Sequence, residues 1–149
     1  MKFKNFVLVL LLLTTFSFVS HAFMRSANYD GLKLYAKPSE TSDVLFDFSQ
    51  YHSLNVLKVD GDWAYVVDYM NMKGWVKKSG LSETRTLTVS KPKVNFRTGP
   101  GSGYRKIDTL YKGQILKYIK KYGYWYKVKV IDPPDGETGW IYRTLVWGW

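Results

Sequence analysis

The 149-residue chain contains no cysteine. That excludes disulfides, a thiol nucleophile, a zinc–cysteine site and a lipid anchor carried on cysteine. Histidine is nearly absent too, with His21 and His52 as its two copies. A Ser-His-Asp arrangement in the exported chain would have to use His52, and no G-x-S-x-G elbow accompanies it. His, Asp and Glu are not clustered as metal ligands require, so no metal or other cofactor is expected. A carboxylate pair for glycoside cleavage could be sought at Asp60 and Asp62. Those two flank Gly61, where turn formation accounts for them. The expectation is a protein that is not an enzyme.

Long apolar runs are also missing, apart from one at the start. Lys2 and Lys4 precede an apolar run from Phe6 to Leu13, extended weakly through Phe18 and Val19. Thr14, Thr15 and Ser17 interrupt it, and a membrane span needs about 20 apolar residues. Ser20 and Ala22 place small residues at the −3 and −1 positions of a cut after Ala22. Residues 1–22 therefore read as a secretory signal peptide. The remainder is expected to be exported, with no stable membrane span after cleavage. An exported chain without disulfides suits a bacterial envelope, periplasmic or extracellular, better than an animal secretory route.

Aromatics, by contrast, are abundant at 17% of residues. Aromatic and β-branched residues fit pleated, half-buried surfaces, which favours strands. Charge is unevenly placed. Residues 23–86 carry eight Lys or Arg and eight acids, a balance of zero. Residues 87–149 carry twelve Lys or Arg against Asp108, Asp132, Asp135 and Glu137, a balance of +8. Such asymmetry bears on partners rather than on fold.

The chain repeats itself. A shift of 62 positions places Leu32 on Val94, Leu34 on Phe96, Pro38 on Pro100, Leu54 on Leu116, Trp63 on Trp125 and Val66 on Val128. Gly74-Trp75-Val76 needs a shift of 65 to reach Gly139-Trp140-Ile141, and the loop Asp132 to Gly136 has room for three extra residues. One shift serving several well-spaced pairs indicates a tandem duplication. Short alternating runs, separated by Asp60-Gly61-Asp62, Lys112-Gly113 and Tyr122-Gly123, predict about five strands per copy. The fold class is all-β: two small antiparallel barrels, over residues 27–82 and 88–149. Closure removes most exposed edges. Ser82 to Ser90 lies between the copies, favours extended structure and predicts a fairly fixed relation between them. The matched Trp63, Trp75, Trp125 and Trp140 are expected in the cores of these small barrels.

Val94-Asn95-Phe96-Arg97-Thr98-Gly99-Pro100, Leu110-Tyr111-Lys112-Gly113, Trp125-Tyr126-Lys127-Val128 and Gly139-Trp140-Ile141 together resemble the bacterial SH3-like domain family. The first copy is similar but divergent. It keeps Pro38, Trp63 and Gly74-Trp75-Val76, but has Tyr35-Ala36-Lys37 in place of Arg97-Thr98-Gly99 and Gln50 to Ser53 in place of the Lys-Gly turn. The resemblance implies small barrels in exported or envelope proteins, often targeting an enzyme to peptidoglycan, and some that bind wall peptides. It implies non-catalytic docking on cell-wall peptidoglycan or another anionic envelope polymer, or else a scaffold for an envelope protein.

The candidate binding residues lie in the second copy. Tyr104, Tyr122, Tyr124 and Tyr142 have no aromatic counterpart in the first. Aromatics with a polar edge can stack on sugars or pack on peptides. Between Lys112 and Lys129 the chain carries six lysines and no acid. Strand alternation lets Lys117, Lys127 and Lys129 share one face. That face is either an anion-binding surface or a solvated one protecting an edge. Arg97 either clamps a carboxylate or pins the adjacent loop. Nucleic acid would use the same residue types, but export argues against it.

Overall fold

Apolar residues at alternate positions organise the chain into strands, each with one inward face. A computed structural model describes residues 22–149. The expected signal peptide, Ala22 apart, lies outside the described residues. The first sheet contains β1 (Phe23–Ala27), β2 (Leu32–Tyr35), β3 (Val44–Phe48), β4 (Ser53–Asp60), β5 (Trp63–Val67), β6 (Lys73–Lys77) and β7 (Leu81–Ser82). The second contains β8 (Thr86–Val89), β9 (Lys93–Arg97), β10 (Lys106–Tyr111), β11 (Ile115–Tyr122), β12 (Trp125–Val130), β13 (Thr138–Tyr142) and β14 (Val146–Gly148). Their neighbour orders are β3-β2-β6-β5-β4-β1-β7 and β10-β9-β13-β12-β11-β8-β14. Adding seven to each label turns the first order into the second. The chain is all-β, and its two units share one topology.

Each sheet encloses its own apolar cluster. Ala27, Leu34, Phe48 and Val66 belong to the first, and Val89, Phe96, Leu110 and Val128 to the second. These are pairs under the 62-residue shift. The pairing conserves volume more than identity. Phe48 becomes the smaller Leu110, while Ala64 becomes Tyr126, which packs against the second cluster. Cores tolerate such exchanges when total volume is kept.

The repeated glycine has a steric cause. A Cβ on Gly74 would come within 2.7 Å of the Tyr35 carbonyl oxygen and 2.8 Å of the Leu34 side chain. On Gly139 it would meet the Arg97 carbonyl at 2.8 Å and the Phe96 ring at 2.7 Å. Both glycines let β6 and β13 pack closely onto their neighbours β2 and β9.

Two expectations change. The segment between the copies is not only a connection. Its strand β8 pairs with β11 and β14, and it buries Leu87 and Val89 in the second core. It also ties the units together: Ser53 and Thr86 share a buried hydroxyl–hydroxyl hydrogen bond of 2.8 Å. The Ser26 hydroxyl donates to the Thr84 carbonyl at 2.9 Å, and the Arg85 guanidinium lies 3.6 Å from the Trp149 ring centroid. The tryptophans are the second change. Trp63, Trp75 and Trp125 are half-buried, and neither apolar cluster includes them. Trp140 is buried, yet it too lies outside the second cluster. Alternation explains this. Val66, Val76, Val128 and Ile141 take the inward positions, so each neighbouring tryptophan at odd spacing points outward.

Candidate functional site

The outer face of the second unit is set by strand register. Across β13, β12 and β11, Thr138 is paired with Lys129, and Lys129 with Lys117. In the next row Arg97 of β9 is paired with Trp140, Trp140 with Lys127, and Lys127 with Lys120. In the third row Tyr142 is paired with Trp125, and Trp125 with Tyr122. Opposed residues on neighbouring strands share a face. The result is a grid, basic at one end, mixed in the middle and aromatic at the hairpin end.

A one-residue bulge at Ile119 makes the grid possible. Tyr118 pairs with Val128 and faces the core, whereas Lys120 pairs with Lys127 and faces out. Without the bulge, period two from Lys117 would put Ile119 and Lys121 on the outer face instead. The Lys120 ammonium lies 5.9 Å from the Trp140 ring centroid, at the outer limit of a cation–π contact.

The predicted residues therefore fall into three groups. Lys117, Lys127 and Lys129 share the outer face, and Tyr122 and Tyr142 complete its aromatic row. Tyr124 extends that row. It lies 6.3 Å from Tyr142 and under the Arg143 guanidinium at 4.6 Å, while Tyr142 meets Trp125 edge-on at 5.3 Å. Arg97 and Tyr104 form the third group. The Arg97 guanidinium donates to the Tyr104 carbonyl at 2.9 Å, so it pins the loop. The exposed Tyr104 ring covers Gly99, where a Cβ would sit 2.2 Å from it. Lys120, Trp125 and Trp140 are additions. Period two from Lys127 already places Trp125 on the basic face; the pull of tryptophan toward a core obscures it.

The first unit builds the same grid from different residues. Its middle row is Tyr35, Trp75, Tyr65 and Lys58, and its third is Lys77, Trp63 and Asp60. Two of its cations are engaged internally, while Lys73, in the remaining row with Val67 and Asn55, has no ion pair among the described residues. Lys58 lies 5.0 Å from the Trp75 centroid and 5.5 Å from Tyr65. Lys77 lies 5.4 Å from Trp63 and pairs with Glu40 at 3.1 Å. In the second grid Arg97, Lys117, Lys120, Lys127 and Lys129 have no acidic partner among the described residues. Every ion pair there lies within residues 25–83.

Titration is perturbed at one place, also in the first unit. His52 is buried, stacked on Phe48 at 4.6 Å, with Nε2 3.3 Å from an Asp68 carboxylate oxygen. Burial holds its pKa below the usual 6.5, opposed by the nearby Asp68 charge and hydrogen bond. The other Asp68 oxygen accepts from the Met70 and Met72 amides, both at 2.9 Å. Burial raises the Tyr69 phenol above 10.0, and the Asp68 charge adds to the rise. The pair staples the turn after β5. It stands apart from the basic grid.

Comparison with known proteins places this architecture. Residues 30–82 and 92–146 each match the bacterial SH3 domain family. The chain belongs to that family. The chain is also 29% identical, over 97 residues, to a Bacillus subtilis (strain 168) protein named "Putative N-acetylmuramoyl-L-alanine amidase YrvJ". That match spans 58% of this chain and 18% of the relative, so the chain corresponds to a small part of it. NlpC2 from Trichomonas vaginalis is 13% identical, with a TM-score of 0.39 covering 86% of this chain and 48% of that one. An NlpC/P60 family protein from Bacillus cereus ATCC 10987 is 12% identical, with a TM-score of 0.39 covering 85% of this chain and 56% of that one.

Proposed function

We propose that this protein is a non-catalytic, exported module of the bacterial cell envelope. It docks on peptidoglycan or another anionic wall polymer through the outer face of the second SH3 unit. One observation carries the reading: four lysines share that face with Arg97 and an aromatic row, and none of the five has an acidic partner among the described residues. A lysine held without an acid is available to an external anion. A single exposed ion contact contributes about 0–1 kcal/mol. Several on one rigid sheet add up, and Trp125 and Tyr142 supply stacking area beside them. A relative named "Putative N-acetylmuramoyl-L-alanine amidase" supports the same setting, as does membership of the bacterial SH3 family.

The test is cosedimentation of the protein with purified sacculi. Retention is expected, and Lys120→Glu with Lys127→Glu should abolish most of it while the fold persists. Undiminished retention of that variant would make the basic face a solubilising surface. A second reading, a scaffold for an envelope protein, has its own observation. Edge strand β3 exposes Val44, Leu45 and Phe46. Unsatisfied edges of this kind pair with other chains. A protein that ignores sacculi, yet is cross-linked through β3 to an envelope protein, would favour this reading.

A further inference from the structure

The hairpin built on the longest strand of each unit ends in the same two-residue loop. Gly61 and Asp62 join β4 to β5 in the first unit, and Gly123 and Tyr124 join β11 to β12 in the second. The backbones agree, with φ of +54° at Gly61 and +55° at Gly123. Their tethers agree too. The Lys78 amide donates to the Asp62 carbonyl at 2.8 Å, and the Arg143 amide to the Tyr124 carbonyl at 3.0 Å. Only the side chains differ: under the 62-residue shift Asp60 falls on Tyr122 and Asp62 on Tyr124.

Aspartate is a turn former and tyrosine is not. The first unit shows what the turn itself needs, so two tyrosines in its copy call for another cause. Packing does not supply one. Tyr122 and Tyr124 are the two most exposed large hydrophobic side chains among the described residues, at 67% and 58%. A Cβ on Gly123 would meet nothing within 4 Å, so the tip stands clear of the fold. The tyrosines line neither cavity at the junction of the units. Small ligands favour concave sites, whereas a projecting tip suits a soft surface it can enter. Tyrosine concentrates where a bilayer meets water, its ring toward the acyl chains and its hydroxyl among headgroups.

Charge selects the kind of bilayer. Lys120 is paired with Lys127 and faces out, while Lys121 is paired with Tyr126 and leaves β11 on the opposite side. The stem behind the tip thus carries a cation on each face, and the Arg143 guanidinium lies over Tyr124 at 4.6 Å. No acid occurs in residues 115–127 or 139–149. Basic residues held at such a surface are attracted to anionic headgroups.

We propose that the β11–β12 tip docks on an anionic phospholipid bilayer, with Tyr122 and Tyr124 in the interface and Lys120, Lys121 and Arg143 on headgroup phosphates. The contact is peripheral. It goes beyond wall docking and is independent of it, since it rests on the tip rather than on the lysine rows.

Cosedimentation with sucrose-loaded vesicles tests the proposal. The exported chain, residues 23–149, is used because it lacks the apolar Phe6 to Leu13 run. Binding is expected to vesicles of phosphatidylglycerol and phosphatidylcholine in equal parts, and about tenfold weaker to phosphatidylcholine alone. Tyr122→Asp with Tyr124→Asp gives the second tip the residues of the first, a loop the chain already folds. Tyr122→Ser with Tyr124→Ser removes the rings without adding charge. Each variant should bind the anionic vesicles about tenfold or more weakly, with an unchanged melting temperature. Wild-type binding by the Ser variant would leave the lysines alone responsible and overturn the proposal. Equal binding to both kinds of vesicle, or binding to neither, would also overturn it. Loss of sacculus retention in the tip variants, with no vesicle binding by wild type, would assign the tyrosines to the wall instead. Sacculus retention without vesicle binding removes this proposal alone. Vesicle binding without sacculus retention removes the wall-docking reading alone.

Discussion

Burial of His52 against Phe48 depresses its proton affinity, so the folded chain binds fewer protons there than the unfolded chain. The sign follows from that difference. Stability contributed by neutral His52 is fully present above pH 6.5. It is lost as pH falls below 6.5 toward the lower folded pKa, because the unfolded state gains protons first. Urea melts across this range should show that decline in wild type and a flatter profile in His52→Gln. Trp125 gives a second residue-scale prediction. A core tryptophan truncated to alanine costs about 3–5 kcal/mol. Trp125 is half-buried on the outer face, so Trp125→Ala should cost about 1–2 kcal/mol by area, read by denaturant melts. A core-sized loss would place its ring inside after all.

At the scale of elements, the glycines of the repeated G-W-V and G-W-I motifs allow the close approach of β6 to β2 and of β13 to β9. Gly74→Ala and Gly139→Ala should each lower stability by about 1–3 kcal/mol, since the new methyl meets backbone oxygen and packed side chains. Thermal melts of the two variants check this, and a neutral result at either would show that β6 and β2, or β13 and β9, can part to admit the methyl. Most strands were legible from the sequence, since turn residues and period-two patterns mark hairpins such as Asp60-Gly61-Asp62. The outer grid was legible only in part. Lys127 and Lys129 follow from alternation on β12, but Lys120 depends on the bulge at Ile119, and nothing in the local sequence announces a bulge. The place of strand β8 in the second core was hidden for another reason. Thr86-Leu87-Thr88-Val89 alternates as a strand should, but an extended run between two copies fits a connector as well, and only the structure shows all four residues buried.

For the whole molecule, the duplication explains both likeness and division of labour. The two units share topology, core positions and closing glycines. They differ on the surface. The first engages Lys33, Lys58 and Lys77 with Asp47, Glu40 and aromatic rings, while the second leaves its grid cations without acidic partners among the described residues. The sequence showed that imbalance as a charge count; the register turns it into one face. The residues joining the units come from the Thr84–Thr86 segment, β1 and β4, together with Trp149, which long-range pairing brings together and local pattern does not reveal. Binding through an exposed basic face also predicts dependence on ionic strength, because salt screens such contacts within about 10 Å at 0.1 M. The most direct measurement is sacculus cosedimentation of wild type and the Lys120→Glu, Lys127→Glu variant across a salt series. Wild type should be retained at low salt and released as salt rises, with the variant released throughout. Retention of both proteins at every salt concentration, or of neither, would contradict docking through this face.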